Sequence, residues 1–146
     1  MSQKARHDLM FLCQLALGLV FLYPAYIKLG HTWIVFAQNI EAYKLVPEWA
    51  VIVLAMWLPW IELVLGLLLV AGVAKRAVRP SAMFLLLAFF LMMLNAYLHG
   101  QQIDCGCGFS PDEKIGPGTL IRDGSFVALA IFLSVSAYWP AQRRLE

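Results

Sequence analysis

Charged residues fall in clusters along this chain, and the gaps between clusters have the length a bilayer demands. About 20 residues of helix cross roughly 30 Å of hydrocarbon. Leu9 to Ile27 lies between Asp8 and Lys28. Trp49 to Ala74 lies between Glu48 and Lys75, broken once by Glu62. A third run separates Arg79 from Asp104, and a fourth, Gly124 to Gln142, separates Asp123 from Arg143. None alternates with a period of two, so these are not barrel strands, and in lipid only a helix then closes its own backbone hydrogen bonds. The sequence predicts an all-α membrane protein, a four-transmembrane-helix bundle forming one domain over 1–146. Its helices fall at about 9–28, 49–74, 81–99 and 124–141, with a cysteine-bearing loop over 100–123. Trp139 reads as an interfacial anchor. The first apolar run exceeds the about 7 to 15 residues of a signal-peptide core, and YPAYIK offers no small-x-small cleavage site, so it is kept as a helix.

Composition supports lipid as the solvent. Hydrophobic residues make up 62% of the chain and charged residues 14%, against roughly 45 to 50% and about 25% in a soluble domain. Disorder is excluded by the hydrophobicity, and a net charge of +2 makes no field for nucleic acid. Seven basic residues (Lys4, Arg6, Lys75, Arg76, Arg79, Arg143, Arg144) fall on one side of the predicted spans and four (Lys28, Lys44, Lys114, Arg122) on the other. The positive-inside rule then places both termini in the cytoplasm and the first and third loops outside.

Between Trp33 and Lys44 the apolar residues Trp33, Phe36, Ala37, Ile40 and Tyr43 recur at three and four, which predicts a short amphipathic interfacial helix with Thr32 as N-cap and Pro47 as stop. The third loop, QQIDCGCGFSPDEKIGPGTLIRD, is rich in Gly, Pro and Asp and reads as a structured or functional loop.

The chemistry centres on Cys105-Gly106-Cys107. Glycine permits the tight backbone that a disulfide between such near neighbours needs. An exposed, strained pair of this kind is redox-labile, and a ring so small constrains little chain as a staple. Redox-active, structural and metal-binding readings stay open. For the last, His99 lies upstream, and Met92 and Met93 supply soft ligands suited to Cu(I). A closed zinc site lacks ligands, with only Asp104 or Asp112 to complete it. His99 also reads as an idle interfacial residue or as an imidazolium that lowers a thiol pKa. Cys13, near the opposite membrane face, reads as a small buried hydrophobe.

Glu62 is a carboxylate at bilayer depth, which marks a polar contact inside the bundle. Ala55, Pro59, Glu62 and Gly66 share one face, a small-residue stripe that lets a neighbour approach. Counting from the span ends sets Glu62 level with Gly18 and close to Ser134, with Lys28 or Arg122 as an ionic partner. A structural link and a proton relay both remain open. Asn95 and His99, one turn apart, form a second polar face.

The runs GLVFLYPAYIKLG, FAQNIEAYKLVP, LPWIELVLGLLLVAG and IDCGCG followed by IRDGSFVALAI, with Lys28, Pro59-Trp60-x-Glu62, Cys105-x-Cys107 and Arg122-Asp123 in that order, resemble the DoxX-like superfamily and most closely its MauE family. One departure is Gly108-Phe109 after the second cysteine, where the family pattern has Phe-Gly. The resemblance implies a multi-pass protein of the bacterial inner membrane that serves maturation of periplasmic methylamine dehydrogenase. It implies a periplasmic thioredoxin-like partner with which Cys105 and Cys107 exchange disulfides. Glu62, His99, Asn95, Arg122, Asp123 and Lys28 are the candidate polar support. A membrane quinone is the acceptor such a reading invokes, with Trp57, Trp60, Phe89 or Phe90 as contacts. Two alternatives stand beside it: a non-enzymatic DoxX-like membrane subunit of a quinone-linked oxidoreductase, and a copper-handling membrane protein.

Overall fold

The computed structural model describes residues 3–106, 109 and 113–142, with backbone alone for residues 3 and 139–142. Five helices follow in order: α1 (Gln3–Gly30), α2 (Trp33–Ala42), α3 (Glu48–Ala71), α4 (Lys75–Leu98) and α5 (Pro117–Gln142). α1, α3, α4 and α5 are long and apolar enough to cross a membrane. The extended backbone among the described residues is one isolated antiparallel bridge, between Asp104 and Lys114 in the α4–α5 loop.

The helices outrun the apolar gaps that announce them. α1 begins at Gln3, six residues before the apolar run, and α5 begins at Pro117, seven residues before Gly124. Long basic side chains ride on helix ends while their stems cover apolar surface, so a charge does not end a helix. Proline is well placed at the start of α5, where its missing N–H would have no helical partner. The cysteine loop is correspondingly shorter than 100–123, and Arg122 and Asp123 lie in the second turn of a helix.

The α3–α4 turn is equally tight. Gly72 takes a left-handed φ of +69°, its N–H bonds the Leu69 carbonyl at 3.1 Å, and the Val73 N–H reaches the Leu68 carbonyl at 3.2 Å. This closes α3 with a glycine in the conformation glycine tolerates best. α4 therefore starts at Lys75, and Arg79, expected in a loop, sits on its second turn and is buried. Pro80 has no N–H for the Arg76 carbonyl, and the Tyr138 hydroxyl of α5 donates to that carbonyl at 2.9 Å.

α1 packs chiefly on α3 and α4 on α5, and the two pairs meet through α1 with α5 and α3 with α4. α2 lies on α3, with Phe36 and Ile40 buried against Val51, Ala55 and Leu58. Thr32 does occupy its N-cap but makes no side-chain cap bond, and Pro47 caps the start of α3 instead of stopping α2. A core of Leu17, Phe21, Leu69, Val78, Ala82, Ala130 and Leu133 fills the bundle toward the α3–α4 turn. Another, of Tyr43, Met93, Ala96, Cys105 and Ile115, closes the cysteine-loop end. Trp49, Trp57 and Phe84 are between 65% and 71% exposed, which suits a lipid surround. The side chain of Trp139, and Arg143 and Arg144, lie outside the described residues.

Lipid gives apolar helices no reason to associate, so close approach must supply the contact. The small-residue stripe of α3 faces inward as expected, with Ala55, Pro59, Glu62 and Gly66 all buried. A Cβ on Gly66 would lie 2.8 Å from Leu22 Cγ and 3.1 Å from the Gly18 carbonyl, and one on Gly18 would lie 2.7 Å from Val70 Cγ2. Around Gly118 nothing stands within 4 Å. Replacing Gly66 with Leu is therefore expected to lower the melting temperature of the detergent-purified protein, by a cost of at least about 1–3 kcal/mol typical of overpacking. Gly118→Leu should leave it nearly unchanged, and equal melting of the two variants would disprove the α1–α3 contact.

Candidate functional site

The buried face of α1 carries Leu17, Phe21 and Ala25, and its next member, one turn on, is Lys28. Because α1 continues to Gly30, Lys28 is held on the helix and not in a loop. It meets Glu62 of α3, with Nζ donating to Oε1 at 2.8 Å and to Oε2 at 3.0 Å, and the two side chains are only 6% and 7% exposed. The ammonium also lies 4.4 Å from the ring centroid of Phe36 on α2 and 5.3 Å from that of Phe89 on α4. A cation over aromatic faces gains from the ring quadrupole, more so when desolvated. One ion pair thus draws together four helices.

Counting from span ends misplaced the register. Gly18 stands level with Gly66 and Val70, and Glu62 stands level with the last turns of α1. Ser134 donates to the Ala130 carbonyl of its own helix and takes no part. Of the two cations expected for Glu62, Lys28 is the partner. Arg122 is engaged elsewhere, with Nε 3.0 Å from Asp123 Oδ1 and Nη1 donating to both carboxylate oxygens of Glu113 at 2.8 and 2.9 Å.

This second charged group pins the cysteine loop. The Arg122 guanidinium stacks 4.7 Å from the centroid of Phe109, which in turn lies 5.7 Å from Tyr23 of α1 and 5.9 Å from Phe126 of α5. Beside it, the Cys105 N–H bonds the Glu113 carbonyl at 2.9 Å, and the Ile115 N–H bonds the Ile103 carbonyl at 3.1 Å. The Tyr43 hydroxyl, at the end of α2, donates to the Cys105 carbonyl at 2.9 Å. Burial, and then the charges of Asp123 and Asp104, push the Tyr43 phenol well above its ordinary range, so it stays a donor at physiological pH. Gly106 follows with φ +67°, a left-handed turn that glycine accepts without strain.

Cys105 is disulfide-bonded and 6% exposed, while Cys13 carries a free thiol. Cys107, Gly108 and Asp112 lie outside the described residues. Between the disulfide and the ion pair is a cavity of about 60 Å³, several times the ~10–15 Å³ that one water needs. Lys28, Glu62, Asp123, Cys105 and Gly106 border it, and Phe21, Phe89, Phe90, Phe126 and Met93 supply most of its walls. Pro24 and Val20 line it too, and proline at position 24 leaves the Val20 carbonyl without its helical donor.

The structure thus brings Lys28, Glu62, Asp123 and Cys105 to one cavity and sets Arg122 against it through Asp123. It does not bring Asn95 or His99 there. His99 caps α4 exposed to the surroundings, its Nδ1 2.8 Å from the Asn95 backbone carbonyl. Phe89 and Phe90 face the cavity, whereas Trp57 and Trp60 are 65% and 56% exposed and lie outside it. Among the described residues, no three His, Cys, Asp or Glu side chains gather as metal ligands. Tyr43, Phe109 and Glu113 were missed by sequence reasoning. Tyr43 was visible only as one apolar position of a periodic run, and Glu113 only as one more polar loop residue.

Breaking a buried ion pair strands one charge, at a cost of roughly 3–5 kcal/mol, while replacing both members by apolar residues of similar size is often neutral. Lys28→Met and Glu62→Leu are each expected to destabilise the purified protein strongly, and the double variant to recover most of the loss. Melting temperatures of the three check this, and additive losses would show that the pair does not couple.

The comparisons with known proteins bear on this arrangement. Residues 6–136 match the family described as Methylamine utilisation protein MauE. No curated protein and no solved structure matches the chain. The matched segment begins in the first turns of α1, ends in the last turns of α5, and so takes in both members of the ion pair and the cysteine loop. This multi-pass membrane protein belongs to the MauE family of methylamine utilisation.

Proposed function

We propose that the chain is a thiol–disulfide exchange protein of the bacterial inner membrane, serving maturation of periplasmic methylamine dehydrogenase or a similar enzyme through a thioredoxin-like partner. The observation that carries this reading is the Cys105 disulfide on the wall of a cavity shared with a buried ion pair. The termini lie in the cytoplasm and the cysteine loop in the periplasm. Seven basic residues at the end that carries the termini, against four at the cysteine end, favour that orientation by the positive-inside rule.

In the exchange, a thiolate of the partner attacks a sulfur of the Cys105–Cys107 disulfide, forming a mixed disulfide and releasing one cysteine as thiolate. The partner's second thiolate resolves the mixed disulfide. The partner leaves oxidised, and Cys105 and Cys107 hold the two electrons as a dithiol.

Recovering the disulfide needs a two-electron acceptor, and a membrane quinone is the one this reading invokes, although a cavity of about 60 Å³ is smaller than the ~150 Å³ that holds a benzene ring, so the quinone ring does not fit it as it stands. Phe89, Phe90 and Phe126 line the cavity beside Lys28, whose ammonium is committed to both carboxylate oxygens of Glu62. A bound quinone supplies a lipid-soluble acceptor of two electrons and two protons. The scaffold alternative makes the cysteines dispensable, and the copper alternative needs Cys105 as a free thiolate, which a disulfide denies it.

Two measurements test the reading in a Cys13→Ser background. In intact cells, Cys105 and Cys107 should label with a membrane-impermeant maleimide only after mild reduction. Labelling without reductant would leave a free dithiol, and no labelling after reduction would mean that the loop is on the cytoplasmic side or that both thiols stay buried. Replacing both cysteines with Ser should reduce oxidation of the periplasmic partner at least about tenfold, a loss expected when the exchanging sulfurs are removed. Unchanged partner oxidation would leave the scaffold reading.

A further inference from the structure

At the opposite end of the bundle, Arg79 is 4% exposed, yet it has no carboxylate partner among the described residues. Its Nε and Nη2 donate to Gln14 Oε1 at 3.2 and 2.5 Å, and its Nη1 donates to the Leu133 carbonyl at 3.2 Å. Both acceptors are neutral. Gln14 is itself fixed, its Nε2 donating to the Leu69 carbonyl at 2.6 Å. A buried charge is tolerated when it is paired, and neutral oxygens alone compensate it incompletely.

Arg79 does not sit in a closed core. It lines a cavity of about 320 Å³ together with Gln14, Lys75, Arg76, His7 and Ser136. Among the described residues no acidic side chain borders that cavity, and the nearest in sequence, Asp8, is exposed and lies 3.7 Å from His7. The cavity also adjoins the start of α4, whose N-cap Ala74 provides no side-chain cap to the first N–H groups. An uncapped helix start favours negative charge. Three cations and a helix N-terminus converge where an anion is missing. Arg79 lies four residues into α4, about 6 Å along the helix from Lys75 by the rise of 1.5 Å per residue, a depth that matches a headgroup region.

We propose that this cavity binds a phosphate group, with the Arg79 guanidinium as its buried anchor and Lys75 and Arg76 as its outer clamp. Guanidinium is the side chain best shaped for paired hydrogen bonds to phosphate oxygens, and lysine adds a mobile point charge. A glycerophospholipid headgroup and free phosphate share this chemistry. A basic pocket between membrane helices at headgroup depth favours the lipid. The site is independent of the cysteine chemistry, because it uses other residues at the other end of the bundle.

The test uses the full chain purified in a neutral detergent and melted under tryptophan fluorescence. Dioleoylphosphatidylglycerol, inorganic phosphate and the phosphate-free dioleoylglycerol are added separately. Phosphatidylglycerol is expected to raise the melting temperature by several degrees and dioleoylglycerol to do nothing. Stabilisation by phosphatidylglycerol alone identifies a lipid headgroup, and equal stabilisation by millimolar phosphate identifies a free anion. Arg79→Gln should abolish the shift, but that variant removes a buried anchor and can misfold. The exposed pair Lys75→Gln and Arg76→Gln therefore carries the test, and should raise the half-maximal lipid concentration on the order of tenfold or more. An unchanged midpoint in that variant, equal stabilisation by dioleoylglycerol, or no response to either phosphate compound overturns the proposal.

Discussion

A lysine and a carboxylate that meet out of reach of water set most of what this bundle can do. Neither Lys28 nor Glu62 is stable as a lone charge in lipid, so α1 and α3 are tied to the one register in which they meet. Two aromatic rings, from α2 and α4, then close over the ammonium. An apolar contact of the same area would tolerate a slip of one turn, and the ion pair does not. Polar groups used in this way specify an arrangement more than they add stability, in line with the near-neutral replacement of buried pairs by apolar ones in other proteins. The close Gly18–Gly66 approach two turns away is the steric counterpart of that electrostatic register mark.

Prolines sharpen the same demand for satisfied groups. Each proline inside a membrane helix leaves a carbonyl without its donor, and each freed carbonyl must find another. Pro80 shows one solution, in which Tyr138 reaches across from α5 and so helps fix α5 against α4. Pro24 lies in the wall of the cysteine-end cavity and leaves the Val20 carbonyl without its helical donor. The two ends of the bundle differ in kind. Among the described residues, buried Lys28 and half-buried Arg122 at the cysteine end each have a carboxylate within 3.0 Å, whereas Arg79 at the other end has only neutral acceptors.

What the sequence made legible follows from what lipid enforces. Four spans, the stripe on α3, the short helix after α1 and the special standing of Glu62 and Cys105 could be read, because length, small residues and isolated polar groups are each expensive in a bilayer and so carry information. The helix ends could not be read, because charge clusters were used as boundaries and basic side chains lie inside helices when they have something to bond. Lys28 and Arg79 both passed as loop charges for that reason, although one anchors the candidate site and the other is buried beside the cavity at the opposite end. Tyr43 and Phe109 were invisible for a different reason. Their roles depend on a loop folding back over α2 and α1, and contacts between distant segments leave no local periodicity.

The loop that carries Cys105 is held unusually well for a connection between membrane helices, and this bears on its chemistry. Its backbone is fixed on one side by Glu113, whose main chain accepts from Cys105 and whose side chain is clamped by Arg122, and on the other by the Tyr43 hydroxyl. A disulfide on a loose loop could relax toward whichever geometry suits its reduced form. Here Cys105 is held at its N–H by Glu113 of the same loop and at its carbonyl by Tyr43 at the end of α2, two contacts that do not run through the disulfide. The same contacts link Tyr43 to α2, whose Phe36 covers Lys28. Tyr43 at the end of α2 and Phe36 within it thus put contacts to the Cys105 carbonyl and to the Lys28 ammonium on one short helix, so a shift of Cys105 that moved α2 would reach the ion pair. A cavity bounded at one side by the disulfide and at another by the ion pair is the place where such a shift would alter what can bind.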